Sequence, residues 1–473
     1  MNGFIKKLLG FSIGPIGGAF IAFITIPLTT HFVSPNEYGK ASMFTLFQTL
    51  FGTFLYLGID QAYTREYHET EDRMQLFKNA LLLPLLLALT MFLFICFNLR
   101  FVSHILFDQN SFIIASFLFG VMIIFMIIER FILLSIRMKE KALEYSIFNI
   151  LIKLIILICT LIFVIFIRRD FLAVVYSAAI GQIVGDAYLI IRYHKLLNIK
   201  GFRVDKRLIR ALLTFGLPLA VAASVASLLN SVGRLALRTW STYDEIGIFT
   251  ATLKIAAILS VLQTSFTNFW VPTAYRWYSE QKDIRYFKLV SEAVLLFMSV
   301  VFFIILIFKQ LIVFLLSPKY GDAIYILGFL CLQPVMYTVS ETTTLGIVFS
   351  KKSFLNIWVS VLSITPSIIL SIVLVPKYGA VGAAIATGIS YIMFFWGRSF
   401  FSNKKNWQGF SLQIHFWTIA IMFAGALMNS FDIKYIAVLN VCMLAVVLFI
   451  QMTTIQKIKH MYIRKKSKRE LSS

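Results

Sequence analysis

Residues 149–181 read NILIKLIILICTLIFVIFIRRDFLAVVYSAAIG, and residues 356–388 read NIWVSVLSITPSIILSIVLVPKYGAVGAAIATG. Each stretch holds an apolar run, a short basic break and a second apolar run, and a helix that crosses a bilayer needs ~20 apolar residues. Asn149, Ile150, Ile165, Ala173, Val174, Ala179 and Gly181 recur as Asn356, Ile357, Ile372, Ala380, Val381, Ala386 and Gly388, all 207 positions later. Glu37 and Gly39 recur as Glu245 and Gly247 at an offset of 208. Apolar sequences coincide often by chance, but one offset that also superimposes two consecutive runs predicts an internal duplication. A shift of six spans preserves membrane orientation, so the repeats are parallel, about an axis along the bilayer normal.

Outward from these stretches, apolar runs lie near 8–31, 41–61, 79–99, 111–136, 146–167, 171–191, 209–233, 246–270, 290–315, 322–349, 354–375, 380–400, 413–430 and 434–453. The chain reads as an all-α polytopic membrane protein with about 14 transmembrane helices: two pseudo-symmetric six-helix lobes plus two C-terminal helices. The expected divisions are 1–200 for the N-terminal lobe, 201–405 for the C-terminal lobe, 406–455 for runs 13 and 14, and 456–473 for a basic tail. The composition agrees, since 59% of the 473 residues are hydrophobic and 14% charged, against about 25% charged in soluble proteins. The longest polar stretches, Gln61 to Lys78 and Arg192 to Arg210, fall far short of the ~50 residues a domain needs, which excludes a catalytic head or nucleotide-binding cassette.

The balance of 44 Lys and Arg against 22 Asp and Glu gives a net charge of +22. In a soluble chain that would suggest nucleic acid; here the basic residues fall in alternate loops, 32 on one side against 10 on the other, with Lys153 and Lys254 inside runs. That asymmetry predicts an even number of spans in a cytoplasmic (inner) membrane, both termini cytoplasmic, and no nucleic-acid partner. The first run, preceded by Lys6 and Lys7, reads as a retained span. The tail from Gln456 to Glu470 carries seven Lys or Arg, each worth ~1 kcal/mol against anionic membrane lipids.

No GxxxxGK[ST], HExxH or CxxC motif is present, so no cofactor is expected. Cys96, Cys159, Cys331 and Cys442 all fall inside apolar runs and read as small core hydrophobes. The six histidines read as scattered over loops and ends, which predicts no metal site. No outer loop is long enough for the catalytic residues of a polymerase or glycosyltransferase, so the chain is not read as an enzyme.

A charge at the bilayer centre costs ~2.5 to 3.5 kcal/mol on insertion scales, so embedded polar residues face protein or a wet cavity. In run 7, Ser224, Ser227, Ser231, Arg234 and Arg238 are spaced by 3, 4, 3 and 4, one helical face, with Asn230 beside it. That face reads as a cavity wall turning cationic toward the outside; its plainer reading is serines packed on neighbouring helices and arginines snorkelling to the interface. Lys254 is too deep in run 8 to snorkel easily, and Thr250 and Gln263 continue polarity along that run. Lys153 in run 5 joins the cationic candidates. Thr45, Thr49 and Tyr56 share a face of run 2. Asp60, Arg65, Glu129, Asp186 and Glu341 are candidates for ion coupling or a gate, with local charge neutralisation as the alternative.

SPNEYG (Ser34 to Gly39), LGIDQAYTREY (Leu57 to Tyr67), SPKYGDA (Ser317 to Ala323) and VPKYGAVGAAIATGISY (Val375 to Tyr391) resemble the Wzx-type flippases of the polysaccharide-transport branch of the MOP exporter superfamily. The resemblance implies two six-helix lobes in a V and alternating access. It also implies transport of an undecaprenyl-diphosphate-linked oligosaccharide from the inner to the outer leaflet for surface polysaccharide. Expected partners are that lipid-linked oligosaccharide, membrane lipids, H⁺ or Na⁺, and the polysaccharide polymerase machinery. The first run has no charged residue between Lys7 and His31, whereas lipid II flippases carry arginines there and MATE drug exporters often an acid. The alternative is a cation-coupled MATE-type exporter of drugs or metabolites using Glu341 or Asp60.

Overall fold

In the computed structural model, the structure describes residues 2–198, 200–350, 352, 354–405 and 407–460. Lys351, much of the basic tail, and the side chains of Lys6 and Lys7 lie outside what it describes. Every regular element among the described residues is helical. In chain order these are α1 (Asn2–Phe32), α2 (Pro35–Leu55), α3 (Ile59–Glu66), α4 (Arg73–Phe97), α5 (Leu99–Phe107), α6 (Ile113–Met138), α7 (Ala142–Ile162) and α8 (Phe171–Arg192), with a π-helical turn, Phe163–Ile167, closing α7. Then come α9 (Lys206–Trp240), α10 (Tyr243–Ala256), α11 (Leu259–Ser279), α12 (Ile284–Ile307), α13 (Lys309–Phe314), α14 (Ala323–Thr343), α15 (Leu345–Phe349), α16 (Leu355–Asn403), α17 (Leu412–Met428) and α18 (Ile436–Ile450).

By length and composition, nine of the described helices can cross a membrane, or eleven when the bent pairs α2 with α3 and α18 with Met452–His460 each count as one span. Ile16–Phe32 and Leu412–Met428 are shorter apolar helices. The 49 residues of α16, ~73 Å if straight, would overrun a hydrocarbon core of ~30 Å. Instead the chain turns back at Gly379 (φ +50°, ψ −127°), and Gly397 comes to lie against Val359 and Leu362. The fourteen runs all overlap helices, and a count of fourteen is compatible with this arrangement. Phe97, Phe166 and Phe449, each at least 80% exposed, are the side chains a helix presents to acyl chains rather than to water.

The described residues form two compact units. One runs to Arg234 and includes Thr242–Thr250; the other holds Leu235–Ser241 and everything from Ala251 onward. In the first unit, α1 packs on α7 through Gly14, whose N–H donates to the Ser146 hydroxyl at 3.0 Å. Gly181 and Gly185 of α8 lie against Ile156 and Ile152 of α7, the close packing that small residues at i and i+4 allow in lipid. Phe107, Phe112 and Phe171 meet edge-on or tilted, and Phe107 stacks on Phe44, which meets Phe119 edge-on. Asp72 and Asp170 cap α4 and α8, and Glu37 also accepts from the Phe171 N–H at 2.8 Å, placing negative charge at the positive end of α8.

The link from α8 to α9 is strapped down by side chains of α4. Asn79 donates to the Arg203 carbonyl (3.1 Å) and accepts from the Asp205 N–H (2.9 Å). Gln75 donates to the Gly201 carbonyl (2.6 Å) and accepts from the Arg203 N–H (3.2 Å). The start of α9 is thereby fixed to the first unit.

In the second unit, α12, α14, α16, α17 and α18 pack around buried polar pairs. Asn429 and Asn440 exchange amide hydrogen bonds, and Ser291 joins Thr342 (2.8 Å) and His415 (3.1 Å). Glu341 of α14 accepts from Arg398 of α16 at 2.6 Å, and the Arg398 guanidinium is flanked by the rings of Tyr337 (4.9 Å) and Phe394 (4.4 Å).

Two stability effects follow. Gly379→Val places a β-branched residue where only glycine fits, at a cost of about 1–3 kcal/mol, and should lower the thermal unfolding midpoint in detergent. Arg398→Ala strands the Glu341 carboxylate and should cost about 3–5 kcal/mol, whereas Glu341→Leu with Arg398→Met should recover most of that loss. Equal midpoints for the single and double variants would remove the ion pair as the source.

Candidate functional site

The helix α9 runs past residue 233, so Arg234 and Arg238 are both helical. Ser224, Ser227, Ser231 and Arg234 share one of its faces within the first unit. The Ser231 hydroxyl turns back to the Ser227 carbonyl at 2.8 Å, the usual way a helix satisfies serine in an apolar setting. The Ser227 hydroxyl and the Arg234 Nε differ: each is shielded from solvent and has no hydrogen-bond partner among the described residues. They stand seven residues apart, two turns and ~10.5 Å along the helix. Arg234 is within electrostatic reach of Tyr38 in the first turn of α2. Ser224 is half-buried and Asn230 exposed. Arg238 lies beyond the unit boundary and is half-buried.

A second constellation gathers in the first unit where α2 breaks. Gly58 begins α3 with φ +66° and lies against the backbone of Gly216. Asp60 follows and is buried, with Arg130 Nη2 donating to its Oδ2 at 2.7 Å. The same guanidinium stands 5.4 Å from the centre of the Tyr56 ring. Glu129 interacts electrostatically with Lys153 and Arg130, and Asp186 with Glu129 and Lys153. Gln182 donates to Asp186 Oδ1 at 2.8 Å, while Asp186 Oδ2 is buried without a partner among the described residues. Five residues singled out from the sequence, Tyr56, Asp60, Glu129, Lys153 and Asp186, thus meet in one cluster with Arg130.

The other candidates are more dispersed. Thr45 and Thr49 turn their hydroxyls to the carbonyls of Ser42 and Thr45 (2.9 Å each). Arg65, exposed, stacks on Phe215 at 4.5 Å. Thr250, 1% exposed, donates to the Ser42 hydroxyl at 3.3 Å. Lys254 is exposed in the last turn of α10, just before the break at Ala257 and Ile258, and Gln263 is half-buried on α11. Glu341 is committed to Arg398, the charge-neutralising role that the sequence left open.

Two readings are corrected: Cys442 is exposed on α18 rather than packed in a core, as a small apolar side chain facing acyl chains can be, and the second concerns a histidine. His415 does not sit in a loop or at a chain end: it is fully buried in α17, bonded to Ser291 and to the Ser411 carbonyl (2.7 Å), because a ring nitrogen beside buried hydroxyls needs that pairing. Sequence reasoning gave no role to Ser42, Asn36, Asp244 or Arg398. The first three carried a signal, since Asn36 with Asp244 and Ser42 with Thr250 obey the same offset of 208 as Glu37 with Glu245. Among the described residues, no group of three His, Cys, Asp or Glu side chains is placed to hold a metal ion.

Comparison with known proteins fits this architecture. Over 178 residues, 37% of the chain, it is 25% identical to the capsular polysaccharide biosynthesis protein CapF of Staphylococcus aureus, and the match spans 45% of that protein's length. Its fold is similar to that of the lipid II flippase MurJ in an inward closed conformation, with a TM-score of 0.68 and 16% identity, covering 95% of this chain and 99% of MurJ. It is also similar to an inward-facing MATE-family multidrug resistance transporter of the MOP superfamily (TM-score 0.61, 15% identity, 82% of this chain and 96% of that one). Residues 4–277, more than half of the chain, match the family model described as polysaccharide biosynthesis protein. The motifs between Ser34 and Tyr391 therefore pointed to the right branch: the chain belongs to the polysaccharide biosynthesis protein family, on the fold of the MOP-superfamily transporters.

Proposed function

We propose that this protein moves an undecaprenyl-diphosphate-linked oligosaccharide from the inner to the outer leaflet of the cytoplasmic membrane by alternating access, supplying surface polysaccharide. The observation that carries this reading is the pair of unpartnered donors on α9, the Ser227 hydroxyl and Arg234 Nε. A buried donor without a partner costs about 1–3 kcal/mol. Such donors persist where a ligand supplies the acceptor, and the planar fork of arginine suits a phosphate. Arg238 and Lys254, read from the sequence as embedded cations of the same runs, are the further sources of positive charge that a diphosphate requires. The polar face from Ser224 to Ser231 offers hydroxyls to sugar, and the polyprenyl tail stays in the bilayer, where burial costs nothing.

The charges of the acids favour the same direction. Asp60 is held by Arg130 and Glu341 by Arg398, so neither is open to a cationic drug, which weakens the exporter alternative. The cluster at the break of α2 carries three carboxylates, Asp60, Glu129 and Asp186, against Arg130 and Lys153. Its surplus acid makes the unpartnered Asp186 Oδ2 the candidate for H⁺ or Na⁺ if an ion drives the cycle.

Arg234→Ala and Lys254→Ala should each lower surface polysaccharide about ten- to a hundredfold, the loss of one charge-assisted hydrogen bond, with protein level unchanged and lipid-linked oligosaccharide accumulating inside. Arg234→Lys, which keeps the charge and loses the fork, should fall between. Full polysaccharide in both alanine variants, together with altered drug susceptibility on deletion of the gene, would reverse the assignment.

A further inference from the structure

We propose that the helix Met452–His460 is a binding surface for anionic phospholipid headgroups, and that lipid held there keeps Thr454 and Lys457 on the buried Glu292 of α12. Which leaflet supplies the headgroups follows from the topology expected of the basic loops. Neither the binding nor its link to Glu292 depends on the function proposed above. Both rest on where the counter-charge of Glu292 is kept.

Glu292 is 0% exposed. Its Oε2 accepts from the Thr454 hydroxyl at 3.1 Å and from Lys457 Nζ at 3.3 Å, while Oε1 is buried with no hydrogen-bond partner among the described residues. Asp60 and Glu341 are answered by arginines of α6 and α16, on helices packed within their own units. Glu292 is answered instead from a helix bent 59° away from α18, by a lysine whose side chain is 53% exposed. Gln451 pins the bend, donating to the Thr418 hydroxyl of α17 at 3.2 Å, with both side chains buried. A buried carboxylate stripped of its partner is strongly destabilising. Whatever holds this helix against α12 therefore decides whether Glu292 stays paired.

The outward side of the helix suits a bilayer surface of negative charge. Thr453, Lys457 and His460 are exposed and spaced by 4 and 3, one helical face, with Gln456 and Lys459 exposed beside it. Met452 and Ile458, 51% and 37% exposed, add the apolar contact that a helix makes at the boundary between headgroups and acyl chains. An ammonium has three donors, and the contact with Glu292 uses one. A lipid phosphate can therefore accept from Lys457 while Lys457 holds Glu292. Arg464, Lys465, Lys466, Lys468 and Arg469 follow in the sequence against one acid, Glu470, and each base beside an anionic surface strengthens binding about fivefold. Lipid and Glu292 act on the same side chain from opposite sides, so by linkage each strengthens the other's hold.

The test uses the full chain in nanodiscs of phosphatidylcholine with or without phosphatidylglycerol, with the four native cysteines changed to alanine and Thr454→Cys as a probe for a water-soluble maleimide. Labelling should be slow with phosphatidylglycerol and about fivefold or more faster without it. Equal rates would overturn the proposal. Adding Glu292→Gln should give fast labelling in both lipids; a lipid dependence that survives intact would cut the link to Glu292. Protection found in native membranes but lost in both kinds of nanodisc would mean an acidic protein partner and overturn the lipid. A second measurement keeps Thr454 and Glu292 unchanged, in case those variants do not fold. Phosphatidylglycerol should raise the thermal unfolding midpoint of the native chain. The full-length variant with Lys459→Gln, Arg464→Gln, Lys465→Gln, Lys466→Gln, Lys468→Gln and Arg469→Gln should lose most of that rise. A rise that the six substitutions leave intact would place the lipid elsewhere and overturn the surface.

Discussion

Hydrocarbon offers no partner to a charge, and this constraint orders the molecule more than any single contact. Among its embedded groups, most are answered from within: Asp60 by Arg130, Glu341 by Arg398, Asp186 in part by Gln182. Where the answer is missing, the gap is informative. The Arg234 Nε and the Ser227 hydroxyl have no acceptor among the described residues, on a helix whose start is strapped by Asn79 and Gln75. A rigid helix with unsatisfied donors is better suited to meeting an arriving anion than to stabilising the empty protein.

Local chemistry sets where helices stop and turn. Ser34 with Pro35, Asp72, Asp170 and Asp283 begin helices by accepting the N–H groups of their first turns. Glycine ends or bends them where the backbone must leave the helical region. Between these points the apolar sequence only has to be long enough, and packing partners are chosen by small residues that let backbones approach.

How much of this was legible in the sequence varies with the range of the interaction. The apolar runs, the duplication and the family motifs are local patterns or fixed offsets, so the helical architecture could be read directly. The breaks at Tyr56 to Gly58 and at Ala257 to Ile258 were not, because both lie inside continuous apolar runs whose hydropathy barely changes. The serine and arginine face of α9 was visible as a 3,4 spacing. That the Arg234 Nε and the Ser227 hydroxyl have no hydrogen-bond partner among the described residues depends on neighbours distant in sequence. Glu341 shows the same limit: one residue in isolation reads equally as an ion site or half of a salt bridge, and only the position of Arg398, 57 residues later, decides.

The reversal at Gly379 bears on how the chain enters its membrane. Both arms of α16 are long apolar helices, and they meet at a single non-helical residue with no loop between them. No stretch of polar chain is available to wait on the far side while the second arm is being made. The two arms must therefore be inserted as one hairpin, which makes this pair a unit of biogenesis, and makes the turn a poor place to graft a tag or a reporter.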